Sequence, residues 1–180
     1  VDIVLALDLS SSMNSPPADG DLPKIDALQQ AVELFINTWT VHSIAGDRLG
    51  IVYFNGNVSS VAGTPPAPVL SDVAASATNF IIDVNAQSGS GCTAVGGALQ
   101  EAFEQFDDPA RPRFVLLFSD GMQNVNPFVG EDGSGNLQIV NLPAGTTDFP
   151  FGGWFCTATT ASGLDGAAIA PDGDLLADKD

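Results

Sequence analysis

Positive charge is scarce in this sequence: five Lys and Arg stand against 22 Asp and Glu in 180 residues, for a formal net charge of -17. A basic footprint is what neutralises phosphates and drives counterion release, so its absence excludes nucleic acid as a partner. An acidic surface suits salt, divalent cations or basic partners, and it also keeps a chain soluble by self-repulsion. Histidine is reduced to His42, which follows the first helical segment without any partner motif, so a Ser-His-Asp triad has no base to use. No apolar run approaches the roughly 18 residues that would mark a transmembrane helix, so no membrane span is expected. The chain opens on an apolar strand with neither a signal peptide nor an initiator Met, and it reads as a processed or excised piece of a longer protein. Cysteine is limited to Cys92 and Cys156, 64 positions apart and in no metal-ligand spacing. They are a candidate disulfide in an oxidising compartment, worth on the order of 4 kcal/mol by loop closure, or else two buried thiols.

Apolar side chains are present in quantity. Hydrophobic residues make up 44% and aromatics 8%, enough for one globular domain with a closed core. Up to about residue 128, strand-like apolar runs alternate with helix-like stripes, the pattern of an α/β fold with a doubly wound, mostly parallel sheet and helices on both faces. Residues 1–7 form a nearly continuous apolar run, as in a central strand buried on both faces. A helix follows with Ile25, Leu28, Val32, Phe35, Ile36 and Trp39 on one stripe, and Pro23 stands where helices begin. Residues 48–54 read as a second strand and 58–62 as an antiparallel edge beyond the Asn55-Gly56-Asn57 turn. A helix is expected over 71–84 with Val73, Ala77, Phe80, Ile81 and Val84 inward. A Gly-Ser loop at 88–91 precedes a third helix with Val95, Leu99, Ala102, Phe103 and Phe106 inward, and residues 113–119 read as another central strand.

Two of these strands end in oxygen donors. Asp8, Ser10 and Ser12 lie just past the carboxyl end of the first, and Asp120 just past the end of the 113–119 strand. Ligands of open α/β sheets bind in that crevice, which Thr93 can also reach from the loop before its helix. Two carboxylates and three hydroxyls form an all-oxygen set suited to hard cations: Mg²⁺ or Ca²⁺, with Mn²⁺ a third candidate. The first of these stretches, Val4-Leu5-Ala6-Leu7-Asp8-Leu9-Ser10-Ser11-Ser12-Met13, resembles the strand and Asp-x-Ser-x-Ser motif of von Willebrand factor type A domains. Gly91-Cys92-Thr93 resembles the loop that supplies that family's metal-binding Thr, and Leu117-Phe118-Ser119-Asp120-Gly121 the strand end that supplies its second Asp. The resemblance covers about residues 1–128 and implies a Rossmann-like fold with a metal-ion-dependent adhesion site. It further implies that Asp8, Ser10 and Ser12 coordinate directly or through water, that Thr93 joins when a ligand is bound, and that Asp120 often acts through water. A first shell with so little negative charge leaves the metal electrophilic, with a water that a partner's Asp or Glu carboxylate can replace.

Binding is therefore expected rather than catalysis, because no general base accompanies the set. Asp8-Leu9-Ser10 lacks the second Asp of a phosphoaspartyl enzyme, and the 88–91 loop lacks the Lys-Ser/Thr ending of a phosphate loop. The expected role is an extracellular or cell-surface module that engages an acidic group on a protein partner; the alternative is a subunit of a surface layer or fibre in which the metal is stabilising. Residues 129–166 depart from the family pattern, being rich in Gly and Thr with Phe149, Phe151, Trp154 and Phe155 clustered near Cys156. They read as an atypical insertion or sheet-completing segment. A sheet missing a strand exposes an edge that invites strand addition, so self-assembly is a further expectation. Residues 167–180 form an acidic tail in which Asp172, Asp174 and Asp178 resemble the start of a calcium loop cut short before its closing Glu, or else a solvated linker. Asn57-Val58-Ser59 is a glycosylation sequon.

Overall fold

The computed structural model describes residues 1–18, 20–56, 58–60, 70–121, 128–131 and 137–140, with backbone alone for 59–60 and the last two stretches. Strand β1 (Asp2–Asp8) is buried along almost its whole length, as its unbroken apolar run requires. It pairs in parallel with β2 (Arg48–Phe54) on one side and β5 (Arg113–Phe118) on the other, with Asp8 opposite Phe54 and Leu7 opposite Phe118. Two short strands, β3 (Val58–Ser60) and β4 (Ser71–Asp72), pair antiparallel with β2. The sheet is thus mixed, with the parallel core and the antiparallel edge expected from the sequence. A separate antiparallel hairpin joins β6 (Phe128–Glu131) to β7 (Leu137–Val140).

Two apolar layers hold the sheet. On one face Leu5, Leu7, Ile51 and Tyr53 meet α1 (Lys24–His42) through Ile25, Leu28, Val32 and Ile36, and α2 (Val73–Asn85) through Val73, Ala77, Phe80 and Val84. Phe35 and Trp39 of α1 are only partly buried against this layer. The alternation of β1 sends Val4 and Ala6 to the other face, where they pack with Val52, Phe54 and α3 (Val95–Glu104).

Three expectations shift. The α2 segment starts two residues late, because Ser71 and Asp72 pair with β2 and the Asp72 carboxylate then caps the helix, accepting from the Ala75 N–H. In α3 the most buried positions are Gly96, Gly97, Ala98 and Ala102, while Val95, Leu99 and Phe103 are half-buried. Small side chains let that helix lie close to the sheet, so its contact face is not its bulkiest one. Among the described residues β5 pairs only with β1, so it stands at the margin rather than the centre. Its Phe114 and Leu117 stay 54% and 41% exposed. His42 is the exposed last residue of α1, in no cluster. No helix among the described residues is long and apolar enough to cross a membrane.

Candidate metal centre

Because β1 and β5 are adjacent and parallel, their carboxyl ends open at the same edge of the sheet, and the two loops leaving them face each other. Asp8 ends β1 and is completely buried, with Ser10 and Thr93 almost so. The chain turns immediately after Asp8: the Ser10 N–H donates to Asp8 Oδ1 at 2.7 Å, and a 3₁₀ turn over Ser11–Asn14 follows. Ser10 Oγ lies 3.0 Å from Ser12 Oγ, and Ser12 Oγ donates to Asp120 Oδ1 at 2.8 Å. A continuous hydrogen-bonded row thus runs from the β1 loop to the β5 loop.

Thr93 is brought in by the 88–91 loop, which is fastened along the β1 loop. Ser11 N–H donates to Gly91 O at 3.0 Å, Ser90 N–H to Leu9 O at 2.6 Å, and Asn14 Nδ2 to Gly89 O at 2.8 Å. Gly91 has φ of +73°, a conformation side chains disfavour. A Cβ on Gly89 would lie 2.7 Å from Asn14 Oδ1 and 2.8 Å from Ser10 O, so only glycine allows the two loops to close. Gly89→Ala is therefore expected to destabilise the protein by about 1–3 kcal/mol, as overpacking generally does. Chemical denaturation measures this, and an unchanged midpoint would mean that the loops are not in contact. At the far end, a Cβ on Gly121 would stand 3.6 Å from Thr93 Oγ1 and 3.8 Å from Ser12 Oγ, which places both hydroxyls beside the residue that follows Asp120.

All five residues selected from the sequence therefore meet at one sheet edge. Two further participants were not selected. Ser119 Oγ donates to Asp8 Oδ2 at 2.6 Å and fixes the carboxylate from the opposite loop. Lys24, the first residue of α1, sets its ammonium on Asp120 Oδ2. Ser119 lies within the strand-end motif and was legible there as a polar neighbour; Lys24 had only its rarity to mark it.

Electrostatics favour a cation at this edge. Burial pushes the Asp8 carboxyl above its ordinary value against the pull of hydrogen bonds from Ser119 and Ser10, and the nearby charge of Asp120 adds to the upward push. A buried carboxylate beside a second one is a site that gains from a positive charge, and the Lys24 ammonium already stands as one at Asp120. Among the described residues no group of three or more His, Cys, Asp and Glu gathers. Here two carboxylates are joined by hydroxyls instead, a donor set that fits Mg²⁺ or Ca²⁺ and not a thiophilic metal. The remaining candidates fall elsewhere. Cys92 is disulfide-bonded, while Cys156, the other cysteine of the chain, lies outside the described residues. So do Asp172, Asp174 and Asp178 of the tail, Asn57 of the sequon, and the aromatic cluster at 149–155.

The family model of the von Willebrand factor type A domain matches residues 3–123. Among solved structures, the PilB minor pilin from Streptococcus sanguinis superposes with a TM-score of 0.58 at 16% identity, covering 68% of this chain and 30% of the pilin. The vWF domain of the type V pili tip protein Mfa5 from Porphyromonas gingivalis gives 0.53 at 19% identity, over 68% and 38% of the two chains. A von Willebrand factor type A protein from Catenulispora acidiphila gives 0.52 at 23% identity, over 63% and 25%. At these identities the likeness establishes the fold. The chain spans well under half the length of each of these three structures. No curated protein matches it by sequence.

Proposed function

The chain belongs to the von Willebrand factor type A domain family, and from that membership we propose that it is an extracellular or cell-surface binding module whose metal-bearing sheet edge engages an acidic group of a protein partner. Domains of this family commonly hold a divalent metal at this edge. The observation that carries the reading is the convergence of Asp8, Ser10, Ser12, Thr93 and Asp120, five oxygen-bearing side chains from three separate loops, at one sheet edge, where Ser10, Ser12 and Asp120 form a hydrogen-bonded row. When bound, a divalent cation would supply an electrophilic position with an exchangeable water, for which a carboxylate is the natural replacement.

This chain's residues supply the rest. Asp8 is held in one orientation by Ser10 and Ser119 and would provide the buried negative charge. Ser10, Ser12 and Thr93 would add neutral oxygens, keeping the total charge of the set low enough for an anionic ligand to approach. Asp120, on the outer side, ends the row and brings the carboxylates of the set to two. Both carboxylates of the set are engaged, Asp8 by Ser10 and Ser119 and Asp120 by Ser12 and Lys24, and no histidine accompanies them, which supports a binding role over an enzymatic one.

A second reading, a fibre or surface-layer subunit, is favoured by the exposed Phe114 and Leu117 on β5 and by the pilus proteins among the similar structures. One experiment separates the two. A panel of immobilised proteins and peptides displaying Asp or Glu is probed in Mg²⁺, Ca²⁺, Mn²⁺ and EDTA, while light scattering follows the size of the domain in the same buffers. Retention that requires metal and is lost in EDTA is the expected result. Retention indifferent to EDTA would overturn the adhesion reading, and metal-dependent growth in size without any foreign ligand would put the structural reading in its place.

A further inference from the structure

Lys24 stands out on three independent grounds. It is the only Lys or Arg before Arg48 in a chain of net charge -17. It occupies the first position of α1, where the positive end of the helix dipole disfavours a cation and favours an acid. Its ammonium is nevertheless placed on Asp120 Oδ2, while Ser12 occupies Oδ1, so both oxygens of one of the two carboxylates are engaged. Arg48 and Arg111, by contrast, are bound to Asp2 at the other end of the sheet.

We infer that Lys24 is a tethered competitor of the divalent cation: it balances part of the charge of Asp8 and Asp120, and it must leave Asp120 before the metal is fully held. This rests on the metal-binding reading above. A divalent cation drawn to Asp120, directly or through one water, comes close to the ammonium on the same carboxylate and is repelled by it. The side chain has a place to go, since Lys24 also lines a shallow cleft with Pro17, Gly20, Asp21, Leu22 and Ala27, where the Asp21 carboxylate offers an alternative partner. The consequence is a site whose metal affinity is set below what its oxygen donors alone would give. It loads where divalent ions are abundant and stays closed by its own ammonium where they are not. Once displaced, the lysine remains at the rim as a positive charge near the approach of an acidic partner.

The test is a calorimetric Mg²⁺ and Ca²⁺ titration of the native protein and of Lys24→Met, which keeps the aliphatic stem. It is paired with the rate at which an amine-acylating reagent modifies Lys24, read by peptide mass spectrometry with and without Mg²⁺. The chain has only two lysines, so Lys179 serves as the internal reference. Lys24→Met is expected to bind metal about five- to tenfold more tightly, the scale of losing one partly screened ion pair and one nearby repulsion. Acylation of native Lys24 is expected to rise several-fold at saturating Mg²⁺ while Lys179 is unaffected. Equal or weaker affinity in Lys24→Met, with the native protein binding normally, would overturn this inference and leave the metal site standing. Failure of both proteins to bind would overturn the metal reading itself.

Discussion

Asp8→Ala is expected to abolish metal binding while leaving the fold in place. Asp8 is the most deeply buried charge of the site, and its two oxygens are aimed by Ser10 N–H and Ser119 Oγ. No neighbour can take over its position. Two opposing effects govern the stability of the variant without metal. Stranding the buried Ser10 N–H costs about 1–3 kcal/mol, whereas the exposed Ser119 hydroxyl keeps the Gly121 carbonyl as a partner. Removing a carboxylate whose burial opposes its charge acts in the opposite direction, so the unfolding midpoint in EDTA should fall by less than that cost alone. The metal-dependent part should behave quite differently. A ligand at a hundred times its dissociation constant stabilises the native protein by about 2.7 kcal/mol, some 5–11 °C in melting temperature for a chain of this size. That shift should be absent in Asp8→Ala, and direct titration should show a loss of affinity of about a hundredfold or more. A variant that still gains the full thermal shift in Mg²⁺ or Ca²⁺ would remove Asp8 from the site.

At the opposite end of the sheet, Arg48→Met is expected to produce a large loss of stability with no effect on metal affinity. Asp2 is fully buried at the start of β1 and is clasped by Arg48, through Nε at 2.9 Å and Nη2 at 2.7 Å, and by Arg111 Nε at 2.9 Å. Burial alone would raise the Asp2 carboxyl, but hydrogen bonds and charge from Arg48 and then Arg111 outweigh it and hold the group below its ordinary value. Taking away Arg48 leaves a buried carboxylate with half its partners. Breaking such pairs costs about 3–5 kcal/mol, and the remaining Arg111 places this case near 3 kcal/mol, roughly 6–12 °C. The pH dependence has a definite sign. A depressed carboxylate stabilises the native state above its unfolded pKa, and the contribution is lost as pH falls through the lower folded value. The gap between native and Arg48→Met proteins should therefore be full near neutrality and narrow only below about pH 4. Denaturant melts at pH 7 and pH 3 measure it, and a gap that stays constant or widens in acid would show that Arg48 acts through packing rather than charge.

The candidate site was largely readable before any coordinates, and for a physical reason. Metal donors at the end of a strand must lie within a few residues of it, so Asp8, Ser10 and Ser12 form a local motif, and Asp120 follows its strand directly. The unbroken apolar run of β1 and the stripe of α1 are likewise local signals, since burial on both faces or on one face leaves its period in the chain. Where the reading failed, the deciding contact was remote. The face of α3 was assigned by bulk, and while Ala102 and Phe106 are buried as expected, Gly96, Gly97 and Ala98 are buried more deeply than Val95, Leu99 and Phe103 because close approach to the sheet favours small side chains. The run at 113–118 looks as apolar as β1, and only the order of the strands shows that β1 has two neighbours and β5 one among the described residues.

By itself, then, the sequence determined which oxygen-bearing side chains stand at the strand ends, the order of the strands and helices along the chain, and its acidic character. Tertiary structure alone decided which side chains stand behind and beside those donors. Ser119 reaches Asp8 across 111 positions, and Lys24 reaches Asp120 across 96. Neither distance has a local signature, because the parallel register of β1 with β5 and the seating of α1 on the sheet bring those ends together. The oxygen set at Asp8 is a property of neighbouring residues. The cation that guards it is a property of the fold.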